Sequence, residues 1–395
     1  DKEIFGRLPE FLADVMARIP AWKARFEDHD VTTINTREAL ASLPVLRKQE
    51  LMEAQSAKPP FGGFLDETLL KGARVFMSPG PVWEPQAPGI DPWGAARGLH
   101  AAGIREGDIA VCSLGYTLTP GGAILDEGLR ALGATVFPAG VGNSEVQAEA
   151  IETLKATTYV GTPDFLQVIL DKADEAGRDV SSLTKALVSG GALFPSMREA
   201  YAKRGIRVSQ AYATADLGAI AHESWHDGKL CAGMVCNEDL IVEIVRPGSD
   251  DPVAPGEVGE IVVTSFNQAY PLIRFGTGDM SAILDEPSPC GRTNLRIKGW
   301  MGRADQRTKV KGMFVDPKQI DQIVKSVDGV EAARLTVSRD GQMDAMTLEV
   351  TGNNVDVDAV TAAFTAVTKL RGSVKLAESL PNDGKVIDDK RDYDS

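Results

Sequence analysis

Positive charge, cysteine and long apolar runs are all scarce in this chain, and each shortage argues against a class of protein. The chain has 42 Lys and Arg residues but 56 Asp and Glu, so it is acidic, whereas a nucleic-acid-binding protein carries a basic surface. Four cysteines among 395 residues do not form a disulfide framework. No apolar run approaches the roughly 20 residues that span a bilayer, and no charged and then apolar leader precedes residue 30. We therefore expect a cytoplasmic protein.

Length and loop composition predict two domains. A chain of 395 residues exceeds what one hydrophobic core usually serves. Residues 270–317 combine glycines, charges and an Asp-Pro pair between apolar runs, and such loops are where domain boundaries and functional groups collect. We expect a large domain at residues 1–301, a small domain at residues 302–395, and a nucleotide held beside the hinge between them.

Strands and helices alternate between residues 108 and 212. The pattern predicts strands at 108–113, 134–138, 157–161, 185–189 and 206–212, with helices at 119–133, 144–155, after Pro163 and at 194–203. This alternation means parallel pairing, and ligands of such sheets bind beyond the carboxyl ends of the strands. The loops that begin at residues 115, 161, 190 and 210 therefore become candidates for a site.

The remaining segments complete the predicted fold. Strands at 240–245 and 258–264 indicate an antiparallel subdomain, and residues 1–58 indicate a helical cap. After Pro317 the order is helix, two strands, helix and strand, followed by a polar end that we expect to be mobile. The predicted class is α/β, with a large N-terminal domain that has a parallel βα sheet plus an antiparallel subdomain, and a small mobile α+β C-terminal domain.

Six motifs, taken in order, resemble those of the acyl-adenylate-forming enzymes. They are YTLTPGG at Tyr116, SGGALFPSMRE at Ser189, QAYATADLG at Gln210, RFGTGD at Arg274, GRADQRTKVKG at Gly302 and GK at Gly384. The runs GLRALGATVFPAG and PSPCGRT are similar to the phenylacetate–coenzyme A ligase branch, and the resemblance covers nearly the whole chain. It implies that a carboxylate and MgATP form acyl-AMP and pyrophosphate, after which the small domain rotates and coenzyme A forms the thioester. It also implies a homodimer.

The resemblance implies the nucleotide-binding residues one by one. Asp279 matches the acid that accepts the ribose hydroxyls, and Arg303 matches an arginine that contacts ribose or phosphate. Tyr212 can stack on the base or belong to the core. The remaining candidates are small or amide residues that lie against the adenine: Gly190, Gly191, Ala192, Gln210, Ala211 and Ala213.

The resemblance also implies the catalytic, hinge, acceptor and acyl residues. Asp216 stands where the family has a glutamate that holds Mg²⁺, and Lys385 matches the lysine that meets the α-phosphate and carboxylate during adenylation. Lys390 and Arg391 are alternatives for that lysine, and Asp305 is the hinge candidate. Coenzyme A is assigned to Lys309, Lys311 and Gly312, and the acyl pocket to Tyr116, Thr119 and Gly140.

Departures from the family in the phosphate loop and at Asp216 in the magnesium motif keep alternatives open. Where the family has a glycine-rich phosphate loop with a lysine, this chain has Ser78-Pro-Gly-Pro followed by Glu84, and proline has no N–H to donate to phosphate. The first candidate function is that of an acid–coenzyme A ligase for an aryl or arylacetic acid. The alternatives are a catalytically impaired or regulatory nucleotide-binding relative, and an adenylating enzyme whose acceptor is an amine or a carrier protein.

Zinc is a further open question. That branch can carry a Cys/His zinc site, and this chain retains His222, Cys231 and Cys290, with His226 or Cys236 as further donors. Two of the matching cysteine positions hold serine instead. Buried free cysteines are the competing interpretation.

Overall fold

The chain folds into two compact units, Asp1–Met301 and Gly302–Ser395. The computed structural model describes residues 2–245, 250–303, 308–315, 317–340, 343–381 and 386–391. In the described part of the chain, no helix has the length and apolar composition needed to cross a membrane.

Helices cover one or both faces of the sheets in each unit. The α-helices are Lys2–Arg18, Pro20–Arg25, Arg37–Leu40, Lys48–Ala57, Ala95–Ala101, Gly121–Ala131, Ser144–Leu154, Pro163–Ala176, Pro195–Lys203, Pro317–Ser326 and Val357–Thr368, with 3-10 turns at Val31–Thr33 and Glu67–Leu69. Proline begins four of these helices, at Pro20, Pro163, Pro195 and Pro317. A proline at the first helical position loses no hydrogen bond, because that N–H has no partner within the helix.

The main sheet of the larger unit joins a parallel half to an antiparallel half. From one edge to the other its strands are Thr135–Phe137, Ile109–Cys112, Thr158–Gly161, Lys185–Val188, Arg207–Thr214, Gly218–His222, Met234–Cys236, Arg296–Ile297 and Ile283–Leu284. Pairing is parallel as far as Arg207–Thr214 and antiparallel from there on. The predicted strand–helix alternation is confirmed, because the buried apolar strands need helices on both faces.

A second sheet carries the RFGTGD motif. Its strands, in order, are Leu46–Arg47, Phe275–Ser281, Gly259–Ser265 and Leu240–Val245, and the antiparallel pairs confirm the predicted subdomain. The fully buried Arg274 anchors this sheet through a two-bond ion pair to Glu243, with both N···O distances 3.1 Å. The N-terminal helices pack on the sheet, and the Trp22 indole donates to the Pro271 carbonyl oxygen at 3.1 Å. Short hairpins are formed by Val75–Ser78 with Val82–Pro85 and by Trp225–His226 with Lys229–Leu230.

The smaller unit contains a four-stranded sheet, with one strand more than the three that the sequence analysis predicts after Pro317. Its sheet order is Ser373–Leu376, Met343–Gly352, Val330–Asp340 and Ile387–Asp389, and a separate hairpin joins Thr308–Val310 to Met313–Val315. Ile387 is buried and pairs with Leu335, so apolar burial holds the final strand in place despite its polar neighbours. The polar end that the sequence predicts to be mobile therefore includes a strand at Ile387–Asp389.

Candidate functional site

Asp279 lies on the Phe275–Ser281 strand and is held by side chains from two other segments. The Tyr212 hydroxyl donates to its Oδ2 at 2.8 Å, and the Trp300 indole donates to its Oδ1 at 2.9 Å. Its backbone N–H donates to Thr277 Oγ1 at 3.1 Å. A carboxylate has about four acceptor positions and can accept from several donors at once. This arrangement suits an acid that accepts two ribose hydroxyls.

Tyr212 therefore serves as a positioning residue for Asp279. Its side chain is 8% exposed and belongs to the core between the sheets. The predicted stacking of its ring on a base stays a prediction.

The loop after Lys185–Val188 is fastened to the neighbouring strand. Gly190 has φ +74°, a backbone conformation that favours glycine. Gln210 donates through Nε2 to the Gly191 carbonyl oxygen at 3.1 Å, which ties the loop to Arg207–Thr214. The predicted adenine-facing residues 190–192 thus follow the carboxyl end of Lys185–Val188, and residues 210–213 lie in the carboxyl-terminal half of the adjacent parallel strand.

Asp216 follows the Arg207–Thr214 strand and lies within a small acidic cluster. Its Oδ2 pairs with Lys48 Nζ at 3.0 Å, while its Oδ1 is buried without a hydrogen-bond partner. Glu84, from the Val82–Pro85 strand, accepts from the Ser78 hydroxyl at 2.7 Å through Oε1, and its Oε2 is also buried without a partner. Lys48, Glu84 and Asp216 are therefore brought together from three distant parts of the chain.

The electrostatics of this cluster depend on its burial. Burial raises the pKa of Glu84 well above its usual value, and the charge of Asp216 raises it further, whereas Lys48 lowers it. Burial also raises the pKa of Tyr270, and the charges of Asp216 and Glu84 add to that effect. Gln55 donates to the Tyr270 hydroxyl at 3.1 Å. The two carboxyl groups can carry two negative charges against the one positive charge of Lys48, so the cluster can accept an additional positive charge.

The ligands available in this cluster suit Mg²⁺. Mg²⁺ is usually held by one or two carboxylates, with phosphate oxygens and water completing the shell. The partnerless oxygens of Asp216 and Glu84 provide such ligands. No group of three or more His, Cys, Asp or Glu suited to a metal occurs among the residues that the structure describes, so the protein's own share is limited to this pair.

The predicted acyl-pocket residues cluster beside the same hairpin. The N–H of Met77, in Val75–Ser78, donates to the Leu118 carbonyl oxygen at 2.7 Å. A Cβ placed on Gly115 would lie 3.9 Å from Val141 Cγ1 and 4.0 Å from Thr119 Oγ1, so the two loops face each other. Leu118 and Val141 are 68% and 70% exposed, which leaves apolar surface for an apolar acid.

Hydrogen bonds fix both acyl-pocket loops. The Tyr116 hydroxyl donates to Asp126 Oδ2 at 2.9 Å, and burial raises the pKa of Tyr116, which keeps the phenol neutral. Gln147 Nε2 donates to the carbonyl oxygens of Gly140 and Gly142 at 3.0 and 2.8 Å. These bonds make the loops a fixed wall.

In the smaller unit, the predicted acceptor residues lie around one hairpin. The Arg303 guanidinium and Lys309 Nζ lie 5.4 and 5.5 Å from the centre of the Phe314 ring. Lys311 and Gly312 form the tight turn, with φ +48° and +84°. Asp305 and Lys385 fall outside the described residues.

The alternatives to Lys385 are engaged in ion pairs. Arg391 is 8% exposed, pairs with Asp344 at 3.0 Å and donates to Thr308 Oγ1 at 2.8 Å, so it stabilises the fold of the smaller unit. Lys390 Nζ lies 3.7 Å from Asp388. These contacts give Arg391 a structural role in the smaller unit, and the catalytic role of either residue stays a prediction.

The predicted zinc set of His222, Cys231 and Cys290 is not supported, since no three-donor cluster suited to a metal occurs in the described ranges. Burial and the nearby guanidinium groups of Arg292 and Arg97 lower the pKa of His222 to about 4, and such cations repel Zn²⁺. Cys290 instead has hydroxyl neighbours: Ser288 Oγ lies 3.1 Å and Ser224 Oγ 3.7 Å from its Sγ. Serines in place of thiols remove the soft ligands that zinc needs.

Sequence reasoning missed two positioning residues, Trp300 and Lys48. Trp300 follows Asp279 by 21 residues and donates to it across a turn. Lys48 begins the Lys48–Ala57 helix, within residues 1–58, where the sequence indicates only a helical cap. A tryptophan beside Gly299 and Gly302 was a weak signal for the first, and nothing in the local pattern indicated the second.

Residues 128–269 match the family described as AMP-binding enzyme. The phenylacetate–coenzyme A ligase of Thermus thermophilus is 27% identical over 87% of this chain and 79% of its own length, and that of Escherichia coli is 29% identical over 87% and 80%.

A solved structure supports the fold. The 2-hydroxyisobutyryl-CoA ligase in complex with 2-HIB-AMP and CoA, which is 23% identical, superposes with a TM-score of 0.82 and covers 100% of this chain and 90% of its own. Together with the ordered motifs, these findings show that the chain is similar to the acyl-adenylate-forming enzymes, and among them to the phenylacetate–coenzyme A ligases.

Proposed function

We propose that this protein activates an aryl or arylacetic acid with ATP and transfers the acyl group to coenzyme A. The coarser activity, that of an AMP-forming acid–coenzyme A ligase, is the activity of its family. The aryl preference is supported by the named activity of the relatives and by the exposed Leu118 and Val141 beside Thr119. Apolar side chains at the mouth of an acid pocket favour an apolar substituent over a hydroxylated one.

The observation that carries the proposal is the doubly held Asp279. A carboxylate is a poor acyl donor until its oxygen is joined to the α-phosphate of ATP, which releases pyrophosphate and leaves AMP as the leaving group. Coenzyme A sulfur then forms the thioester bond as the acyl–AMP bond breaks. Asp279 fixes the ribose and so keeps the α-phosphate beside the carboxylate of the substrate. Such positioning removes much of the entropic barrier of a bimolecular reaction.

The remaining roles belong to the same proposal. Residues 190–192 and 210–213 contact the adenine, and Arg303 contacts ribose or phosphate. Asp216 holds Mg²⁺, which when bound neutralises phosphate charge. Lys385 stabilises the α-phosphate, and Lys309, Lys311 and Gly312 face coenzyme A. Residues 1–301 act as the adenylation domain and 302–395 as a mobile lid, in a cytoplasmic homodimer.

Pyrophosphate release with ATP and a panel of acids tests the proposal. The panel holds phenylacetate, benzoate and ferulate, with 2-hydroxyisobutyrate as the competing aliphatic acid. We expect release with an aryl acid, and a thioester only when coenzyme A is present. Release without a coenzyme A-dependent product would indicate an amine or carrier acceptor. Binding of AMP with no release for any acid would indicate a regulatory relative, which the two prolines and Glu84 of the hairpin favour.

A further inference from the structure

The hairpin at the position of the phosphate loop carries a carboxyl group that the proposed function does not use. Glu84 is 4% exposed, and only its Oε1 is satisfied, by the Ser78 hydroxyl. Its Oε2 is buried and has no partner. An unsatisfied buried polar atom destabilises the fold, and a charged one more so, which means that a ligand that satisfied it would be favoured.

Asp216 contributes a second oxygen of the same kind. Its Oδ1 is buried without a partner, although its Oδ2 pairs with Lys48 at 3.0 Å. Asp216 and Glu84 act on each other both through charge and through direct contact of the carboxyl groups. The two carboxyl groups therefore lie side by side, and each comes from a different structural element.

Ionising both carboxyl groups beside one ammonium gives a net negative charge in a buried place, which is unfavourable without a further cation. A divalent cation satisfies both oxygens at once and reverses that charge, and hard oxygen ligands are those that Mg²⁺ and Mn²⁺ prefer. We propose that Glu84 and Asp216 together form a two-carboxylate site for a divalent cation, in which the hairpin supplies a ligand of its own. With the cation bound, Glu84 no longer repels a polyphosphate. The effect on polyphosphate binding rests on the proposed function, whereas the binding of the cation does not.

Substitution of Lys48 distinguishes a divalent-cation site from a carboxyl pair that only holds the lysine. Its ammonium occupies Oδ2 of Asp216 and contributes positive charge beside the proposed site. If a divalent cation binds there, Lys48 opposes it electrostatically, and Lys48→Met must bind the cation at least as tightly as the wild type. If the carboxyl pair exists only to hold Lys48, no cation binds in either protein.

The test is a titration of the full chain with Mn²⁺, without nucleotide, in which the electron paramagnetic resonance signal measures free Mn²⁺. We expect the wild type to bind Mn²⁺, and Glu84→Gln and Asp216→Asn each to weaken the affinity by at least about tenfold. Glutamine still accepts the Ser78 hydrogen bond, which favours folding of that variant. Glu53→Gln is the matched control, because Glu53 is exposed on the Lys48–Ala57 helix.

Three results overturn the inference: no Mn²⁺ binding by the wild type, equal affinity in Glu84→Gln, or loss of binding in Lys48→Met. Circular dichroism verifies that each variant is folded, and Asp216→Asn decides the matter if Glu84→Gln does not fold. A wild type that forms thioester while its Mn²⁺ affinity is insensitive to Glu84→Gln contradicts this inference alone. A chain that binds Mn²⁺ through Glu84 but forms no acyl-AMP contradicts the proposed function alone.

Discussion

Replacing Asp279 with asparagine separates the charge of this residue from its shape. In the wild type, Oδ1 accepts from the Trp300 indole at 2.9 Å and Oδ2 from the Tyr212 hydroxyl at 2.8 Å. An indole N–H can only donate, so the asparagine carbonyl must face Trp300. The asparagine NH₂ then faces Tyr212, whose hydroxyl can turn and accept. The internal hydrogen bonds of the site survive, and one acceptor for the ribose disappears.

The magnitude follows from that lost acceptor. A hydrogen bond to a charged group contributes about 1.5–3 kcal/mol, which corresponds to roughly a 10- to 150-fold weaker affinity for AMP. Isothermal titration calorimetry with AMP measures the change, and thermal denaturation verifies folding. Asp285→Asn is the control, because Asp285 is exposed in the same unit. A folded Asp279→Asn protein that binds AMP with wild-type affinity would refute the assignment of the ribose to this carboxylate.

Three further predictions concern the larger unit. Arg274→Met leaves the buried Glu243 unpaired, so we expect the free energy of unfolding to fall by about 3–5 kcal/mol in urea denaturation; an unchanged midpoint contradicts this. Burial alone would raise the pKa of Cys290, but hydrogen bonds, the first of them from Ser288, lower it to about 6, so alkylation by iodoacetamide should reach half its maximal rate near that pH. Ser288→Ala should move that midpoint upward, and an identical profile in both proteins contradicts the cause. A Cβ at Gly122 would lie 2.8 Å from a tyrosine ring carbon and a carbonyl oxygen, so Gly122→Ala should lower stability by about 1–3 kcal/mol in the same urea assay, and an unchanged stability contradicts the clash.

Local patterns carried much of the fold. The alternation between residues 108 and 212 predicts the strands and helices to within a few residues, because apolar periodicity reports which face of an element is buried. The short strand Ile387–Asp389 has too few apolar residues for such a pattern, and it exists because Ile387 fills the core of the smaller unit beside Leu335. Periodicity cannot reveal an element whose stability comes from its partner.

The sequence by itself determined the family motifs, the α/β class and the identity of Asp279 and Asp216 as candidate acids. Only the tertiary structure decided that Trp300 and Tyr212 orient Asp279, that Lys48 and Glu84 surround Asp216, and that His222 faces guanidinium groups instead of thiols. The physical reason is that spacing along the chain constrains only neighbours within one helix or strand. Contacts between distant segments depend on how sheets and helices pack, and it is packing that brings Glu84 and Asp216 to one buried place.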